Sequence, residues 1–316
     1  MPDTGNKRKI LFLNTCFKKD SYMAGAPFDD RDGLIWFNGE MVDWRDAKVH
    51  VLTHALHYAS SVFEGERSYG GKIFKLTEHS ERLVESARIL GFEIPYSVQE
   101  IDDACIETCK ANGIIDGYVR PVAWRGSEMM GVSAQETKIN LSIATWEWPS
   151  YFTPEARMKG IRLKTAPWRR PSPDTEPVHS KAAGLYMICT MSKHAVEAEG
   201  YDDALMLDWR GQIAESTGAN IFLYMGDGRL HTPLPDCFLN GITRRTVIDL
   251  ARERGIEVVE RAIMPDELAD ASEVFLTGTA AEVTPVGEID DYSFTPGDIC
   301  KAMMEDYDKA VGNTST

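Results

Sequence analysis

The chain has 316 residues, 43% hydrophobic and 26% charged, with a formal net charge of −15; at roughly 150 residues per domain, that length predicts two domains. The acidic balance and the lack of a long Lys/Arg run exclude a nucleic-acid footprint and a polybasic membrane patch, and no apolar run approaches the ~20 residues of a membrane span. The six cysteines (Cys16, Cys105, Cys109, Cys189, Cys237, Cys300) sit at neither zinc-ribbon nor C-x-x-C spacing, which reads as reduced thiols in a cytoplasmic protein without a metal site.

Residues 1–33 carry basic residues and a short apolar run, ILFLNTCF, that ends at Lys18-Lys19 without a small-residue cleavage site. That pattern does not match a signal peptide, and we expect an N-terminal extension outside the core. From Leu34, LIWFNGEMVDW reads as two strands turning at Asn38-Gly39. His54 and His57 have no zinc partners at motif spacing and read as core or hydrogen-bonding residues. ERSYGGKIFKL is a second hairpin, turning at Gly70-Gly71. Thr77 is expected to cap a helix carrying Leu83, Val84, Ala87 and Leu90 at helical spacing. SVQEIDDACIETCKANG predicts a further helix closed by Gly113. The strands GYVRPVAWRG and KINLSIATWEW complete a small domain over 34–148.

PSYFTPEARMKG, 149–160, reads as a linker, and a larger domain follows over 161–316. It opens with the strand IRLKTAPW and a Pro-rich loop, RRPSPDTEPVHS. A helix after Lys181, the strands DALMLD and ANIFLYM, and a loop from Pro233 to Gly241 come next. The helix ITRRTVIDLARERG, the strands IEVVERAI and EVFLTGTA, and a helix ending near Val311 close the chain. Helices and strands mix in both halves. The fold class is therefore α/β to α+β, two domains with a cleft between them.

Three separated segments place chemistry at element ends. Lys181 is followed by two alanines and a glycine, with Tyr186 five residues on. A lone lysine is ordinarily a solvated charge, but this company is expected to desolvate the amine. Glu215, in GQIAESTGANIF, is read as following a strand and a turn. Its neighbours Ala214, Ser216, Thr217, Gly218 and Ala219 are small enough for a bulky ligand to approach the backbone. In LNGITRRTV, Gly241 leads into a helix with Thr243 in its first turn, where free N–H groups and the helix dipole favour an anion. FLTGTAAEVTP adds a backbone-donor turn at Gly278-Thr279-Ala280. Each segment alone has an ordinary structural reading. Together they supply an amine, a carboxylate, a phenol and a phosphate cradle, the set that pyridoxal 5'-phosphate needs.

The segments FNGEMVDWRDAKVHVLTHALHYASSVFEG, YVRP, ESTGANIF, NGITR and TGTAAEVTP jointly resemble branched-chain amino acid aminotransferases of the class IV, fold-type IV pyridoxal-phosphate enzymes, over about Leu34 to Val311. The resemblance implies a two-domain fold-type IV architecture with the cofactor in the interdomain cleft. It implies Lys181 as Schiff-base lysine and proton shuttle, Glu215 at the pyridine nitrogen, and Tyr186 at the phenolic oxygen. Arg82, Ile242, Thr243 and Thr279 would hold the phosphate, with Gly218 also in the cofactor site. Tyr118 and Arg120 alternate with Val119 and so face one way. The resemblance puts them, with the backbone of Thr279 and Ala280, at the substrate carboxylate. Phe63, Gly65, Trp148, Tyr151 and Ala280 would line an apolar pocket. Tyr58 and Val132 would reach in from a partner subunit, implying a homodimer or higher homo-oligomer with shared sites.

The implied reaction is transamination of L-leucine, L-isoleucine and L-valine with 2-oxoglutarate. D-amino acid or (R)-amine transaminases and aminodeoxychorismate lyases share the fold. The former typically rearrange the carboxylate-binding strand, and the full YVRP with an aromatic pocket does not suit the latter. A binding module without catalysis would not need Lys181, Glu215 and Arg82 together. Three departures from the family's usual pattern are expected to alter pocket polarity while sparing the cofactor anchors. They are Leu185 in AGLY, Ser216-Thr217 in ESTGAN, and Glu66 beside Arg67.

Overall fold

Both predicted hairpins turn on residues with left-handed backbone. The computed structural model describes residues 27–148 and 158–312; most of the expected extension, 149–157 of the expected linker, and Tyr151 lie outside the described residues. Strands β1 (Leu34–Phe37) and β2 (Glu40–Asp43) join at Asn38 and Gly39, with φ of 52° and 98°. Strands β4 (Glu66–Tyr69) and β5 (Lys72–Ile73) join at Gly70 and Gly71, with φ of 56° and 80°. Positive φ at both turn residues matches the twist of the flanking strands.

Helix α1 (His54–Tyr58) and strand β3 (Ser61–Phe63) precede that second hairpin, and β6 (Gly117–Arg125) and β7 (Ile139–Glu147) close the sheet. Its order is β2-β1-β7-β6-β4-β5, with β3 also paired to β6. Thus β3 and β4 run along one edge of β6, interrupted at Glu64-Gly65. Helices α2 (Leu76–Ile89) and α3 (Val98–Ala111) cover this sheet, burying Leu83, Ala87, Ile101 and Cys105 against Val119, Leu141 and Ile143. Ser97 and Glu100 form a capping box at α3. Thr77 does not cap α2. The helix begins one residue earlier, and the Thr77 hydroxyl donates instead to Asp102 Oδ2 of α3 at 2.6 Å. A side chain already inside the first turn points along the helix flank, so it joins the two helices.

Glu66 faces this core beside Cys105 and Cys109. Both its carboxylate oxygens are buried without a hydrogen-bond partner. Burial, with Glu64 and Asp102 close by, pushes its carboxyl well above the usual range. The expectation that Glu66 alters pocket polarity therefore fails, because it points away from the cleft. A carboxyl raised on folding stabilises the fold below its unfolded value and loses that contribution as pH rises above it. Glu66→Gln should accordingly raise the unfolding free energy by about 1–3 kcal/mol at pH 7–8 and leave it unchanged near pH 4, as urea titrations at both pH values would show.

The second sheet contains β8 (Ile161–Thr165), β9 (Asp203–Leu207), β10 (Ile213–Ser216), β11 (Asn220–Met225), β12 (Leu230–Pro233), β13 (Val258–Arg261), β14 (Ala271–Gly278), β15 (Glu282–Ile289) and β16 (Tyr292–Ser293). Its order is β10-β9-β8-β15-β14-β11-β12-β13, with β16 on β15. Because β10 also pairs with β11, six strands close into a ring around a core of Leu163, Leu205, Ile221, Leu276 and Val286. Helices α4 (Met187–Glu197), α5 (Ile242–Glu253) and α6 (Asp298–Ala310) pack outside it.

Several contacts join the halves, among them an Arg245–Glu78 ion pair at 3.1 Å and an edge-on packing of Phe74 against Tyr307. Arg67 of β4 and Glu282 of β15 form a 2.8 Å ion pair with both side chains buried, and the Tyr69 hydroxyl donates to the same carboxylate. The backbone around Lys181 also belongs to both. Val62 and Ala182 form a β-bridge, and the Phe63 N–H donates to the Lys181 carbonyl at 3.2 Å. The Lys181 N–H donates to Ser86 Oγ of α2 at 3.0 Å.

Candidate active site

A cleft opens between the two sheets, lined by Arg82 from the small half and by Lys181, Glu215 and Thr243 from the large one. Lys181 enters it from the short passage between the Pro-rich loop and a 3-10 turn, Ala183–Tyr186. That turn brings Tyr186 back, so that Lys181 Nζ donates to Tyr186 Oη at 2.8 Å. The small residues after Lys181 do not enclose its amine, for Ala183 and Gly184 are exposed. Rings do so instead: Nζ lies 5.0 Å from the Phe63 centroid, and Phe63 packs edge-on against Tyr186. The small residues serve the tight turn, where a Cβ on Gly184 would sit 3.2 Å from that of Ala59.

Glu215 follows β9 and a turn, as expected, and itself lies within the short strand β10. Its side chain, 12% exposed, is 3.3 Å from Arg170 Nε. Asn220 Nδ2 donates to Glu215 Oε2 at 3.2 Å, while Asn220 Oδ1 accepts the Gly241 N–H at 3.2 Å. A Cβ on Gly241 would stand 2.3 Å from that oxygen, so the position requires glycine for close approach. Asn220 thus ties the carboxylate to the start of α5. No side chain caps α5 at Gly241, which leaves the Ile242 and Thr243 N–H groups open at the cleft. Gly218 and Thr279 line the same wall, and Arg82 reaches in from α2. All eight residues expected at the cofactor therefore share one cavity.

The substrate candidates form an adjoining wall. Arg120 Nη2 donates to Tyr118 Oη at 3.1 Å, and its guanidinium lies 4.8 Å from the Phe63 centroid. Tyr118 stacks on Trp146 and tilts against Trp148. A Cβ on Gly65 would fall 1.9 Å from Tyr118 Oη, so only glycine leaves that hydroxyl in place. Ala280 sits in the turn between β14 and β15. Tyr58 and Val132 stand apart from this chain's own cleft, 44% and 81% exposed. Leu185 is buried away from the cavity, and Ser216 is buried on the Ala219 carbonyl. Of the family departures, Thr217 alone lines the cavity.

The model of the family Amino-transferase class IV matches residues 61–289. The chain belongs to the class IV aminotransferases. This aminotransferase is 44% identical over 281 residues to the probable branched-chain-amino-acid aminotransferase of Rickettsia felis, covering 88% of this chain and 95% of that protein. It is likewise 44% identical over 265 residues to the branched-chain-amino-acid aminotransferase of Pseudomonas aeruginosa, covering 83% and 86%. Among solved structures it is similar to the T.th. branched-chain amino acid aminotransferase with pyridoxamine 5'-phosphate. There the TM-score is 0.86 at 39% identity, covering 90% of this chain and 96% of that one.

Charge in the aminotransferase cleft is distributed unevenly. Burial lifts the Glu215 carboxyl to about 7, with the Arg170 guanidinium and the Lys181 amine pulling the other way. Arg170 itself is 3% exposed. Two cleft residues, Arg170 and Asn220, escaped sequence reading, as did Glu64, which meets Arg82 from outside the cavity. Asn220 lies in the ESTGANIF segment, but nothing in that string marks its side chain as a clamp. Arg170 is one of two adjacent arginines, and only the fold shows which of them turns inward.

Proposed function

We propose that this aminotransferase uses pyridoxal 5'-phosphate to transfer amino groups from L-leucine, L-isoleucine and L-valine to 2-oxoglutarate, giving 2-oxo acids and L-glutamate. The observation that carries this reading is a single cleft holding a lysine amine, an enclosed carboxylate, an arginine and an open helix N-terminus. The donor set fits the cofactor. A carboxyl raised to about 7 by burial gains from a ring N–H beside it. The uncapped turn at Ile242-Thr243, with Arg82, suits a phosphate. When bound, the cofactor supplies an aldehyde that condenses with amines and a protonated ring that draws electron density from the substrate.

The protein's own residues do the rest. Arg82, Thr279 and the N–H groups of Ile242 and Thr243 hold the phosphate. Glu215, braced by Arg170 and Asn220, keeps the ring-nitrogen proton in place. Tyr186 Oη orients Lys181 Nζ, which would take the proton from the substrate Cα and hand it to the cofactor's aldehyde-derived carbon, so that the substrate can leave as the 2-oxo acid. Tyr118 and the backbone of Thr279 and Ala280 hold the α-carboxylate, while Phe63 and Trp148 pack the side chain.

Arg120 has no carboxylate partner among the described residues, and its Nε is buried without a hydrogen bond. It is the cation for the second carboxylate of glutamate, which an apolar pocket would otherwise exclude. Arg120→Leu should slow the glutamate half-reaction about 10²-fold more than the leucine half-reaction, since losing one partner of a buried charged pair costs about 2–5 kcal/mol. Single-turnover rates for each half-reaction would check this.

Tyr58, Val132, Leu56 and Met130 form an exposed apolar set that a second copy would cover. We place the functional unit as a homodimer in the cytoplasm, with small-domain residues 34–148 and large-domain residues 161–316 flanking the cleft. No described helix is long and apolar enough to cross a membrane. The deciding experiment is a panel of L- and D-amino acids assayed with 2-oxoglutarate. Turnover of L-leucine, L-isoleucine and L-valine within roughly a few hundredfold of one another is expected, because one methylene is worth about 1–3 kcal/mol. Preference for D-substrates would overturn the proposal.

A further inference from the structure

We propose that Glu64 is the positioning residue of the phosphate grip, holding one edge of the Arg82 guanidinium so that the remaining N–H groups meet the anion. The inference rests on the reading of Arg82 as a phosphate ligand and adds a residue outside the cavity itself.

The Glu64 side chain is 0% exposed. Its Oε1 accepts from Arg82 Nε at 2.6 Å, and its Oε2 accepts from Arg82 Nη2 at 2.8 Å. His79 Nδ1 lies 2.7 Å from the same Oε2, and the Gly65 N–H donates to it at 3.3 Å. The two parallel bonds fix both the position and the plane of the guanidinium. They occupy the Nε/Nη2 edge, leaving Nη1 for a ligand in the cleft that Arg82 lines. Burial works against the charged carboxylate, yet Arg82 and His79 hold its carboxyl well below the usual range. Glu64 is therefore a standing negative charge at neutral pH.

The place of Glu64 in the chain adds a second role. It sits between Phe63 and Gly65, in the break between β3 and β4, and its own N–H donates to the Pro121 carbonyl at 2.9 Å. Pro121 directly follows Arg120. One residue thus fastens the phosphate-binding arginine, through its side chain, to the strand pair that carries the substrate wall, through its backbone N–H. A flexible arginine held this way loses little further freedom when its ligand arrives.

The test compares two ligands on the full-length, cofactor-free protein: pyridoxal 5'-phosphate, and pyridoxal, which has the same ring and aldehyde without the phosphate. Glu64→Gln should weaken pyridoxal 5'-phosphate about 10- to 100-fold, the usual loss for a supporting partner of a ligand-binding group, and leave pyridoxal affinity unchanged. In an Arg82→Met background, Glu64→Gln should have no further effect, because the two act as one unit. Equal losses for both ligands would mean that Glu64 only maintains the fold, and no loss for either would also overturn the inference. If Glu64→Gln does not fold, Glu64→Asp keeps the charge and draws it back by one methylene. It should weaken the phosphorylated ligand alone, and equal losses again overturn the inference. If Arg82→Met leaves pyridoxal 5'-phosphate binding intact, the reading of Arg82 itself falls. If Arg82→Met weakens binding and Glu64→Gln does not, the positioning role alone falls.

Discussion

Replacing Lys181 by alanine should abolish transamination and remove the visible absorbance that the lysine-linked cofactor gives. The Lys181 amine is the nitrogen donating to Tyr186 Oη at 2.8 Å, with Phe63 and Tyr186 rings around it. The lysine has two jobs, covalent attachment and proton transfer at Cα. Loss of a general base alone costs about 10²–10⁴-fold, and loss of the covalent link adds to that. Alanine keeps the backbone contacts to Ser86 and Phe63, because both use main-chain atoms of Lys181. The variant should therefore fold and bind pyridoxal 5'-phosphate noncovalently through Arg82 and α5. Absorbance spectra and steady-state rates settle it: near-normal turnover would remove Lys181 from the reaction.

Glu215→Gln should keep the fold and lower kcat by about 30-fold to several thousandfold, taking about 2–5 kcal/mol for a lost buried charge partner at 1.36 kcal/mol per tenfold. The same variant carries a stability signature. The folded value of about 7 exceeds the usual 4.5, so cofactor-free protein holds this proton more tightly than the unfolded chain. The resulting stability is complete below the unfolded value and is lost as pH rises towards 7. Between pH 5 and pH 8 the wild type should lose about 2–3 kcal/mol from this group, and Glu215→Gln should not. Chemical unfolding of both proteins without cofactor measures the difference, and parallel pH profiles would place Glu215 outside the enclosed site.

Much of the architecture was legible because local signals agreed. Asn38-Gly39 and Gly70-Gly71 fix hairpins, and Ser97 with Glu100 fixes the start of α3. The strands that escaped were those whose pattern is broken from within. Pro285 and Gly287 interrupt β15, Pro233 ends β12, and the four-residue β10 is too short to show alternation. In the ladder these residues are carried by neighbouring strands, which a linear reading cannot see. The same limit applies to the cleft. Lys181, Glu215 and Gly241 lie in recognisable strings, whereas Glu64, Arg170 and Asn220 acquire meaning only from what lies across from them. Arg170 meets Glu215 from 45 residues away, and no spacing rule connects the two. Ala183 and Gly184 misled for the opposite reason: small residues beside a lysine suggested burial, but they serve the geometry of a turn.

The lysine's main chain is fastened to the small half through Phe63, Ser86 and the Val62–Ala182 bridge, while its side chain works in the cleft between the halves. Any hinge motion that parted the two sheets would have to break these bonds and the buried Arg67–Glu282 pair. Parting the walls to admit a ligand therefore carries the cost of these contacts. Amide hydrogens make this visible. The Lys181 and Phe63 N–H groups should exchange with solvent deuterium as slowly as the core of either sheet, since only large-scale opening frees them.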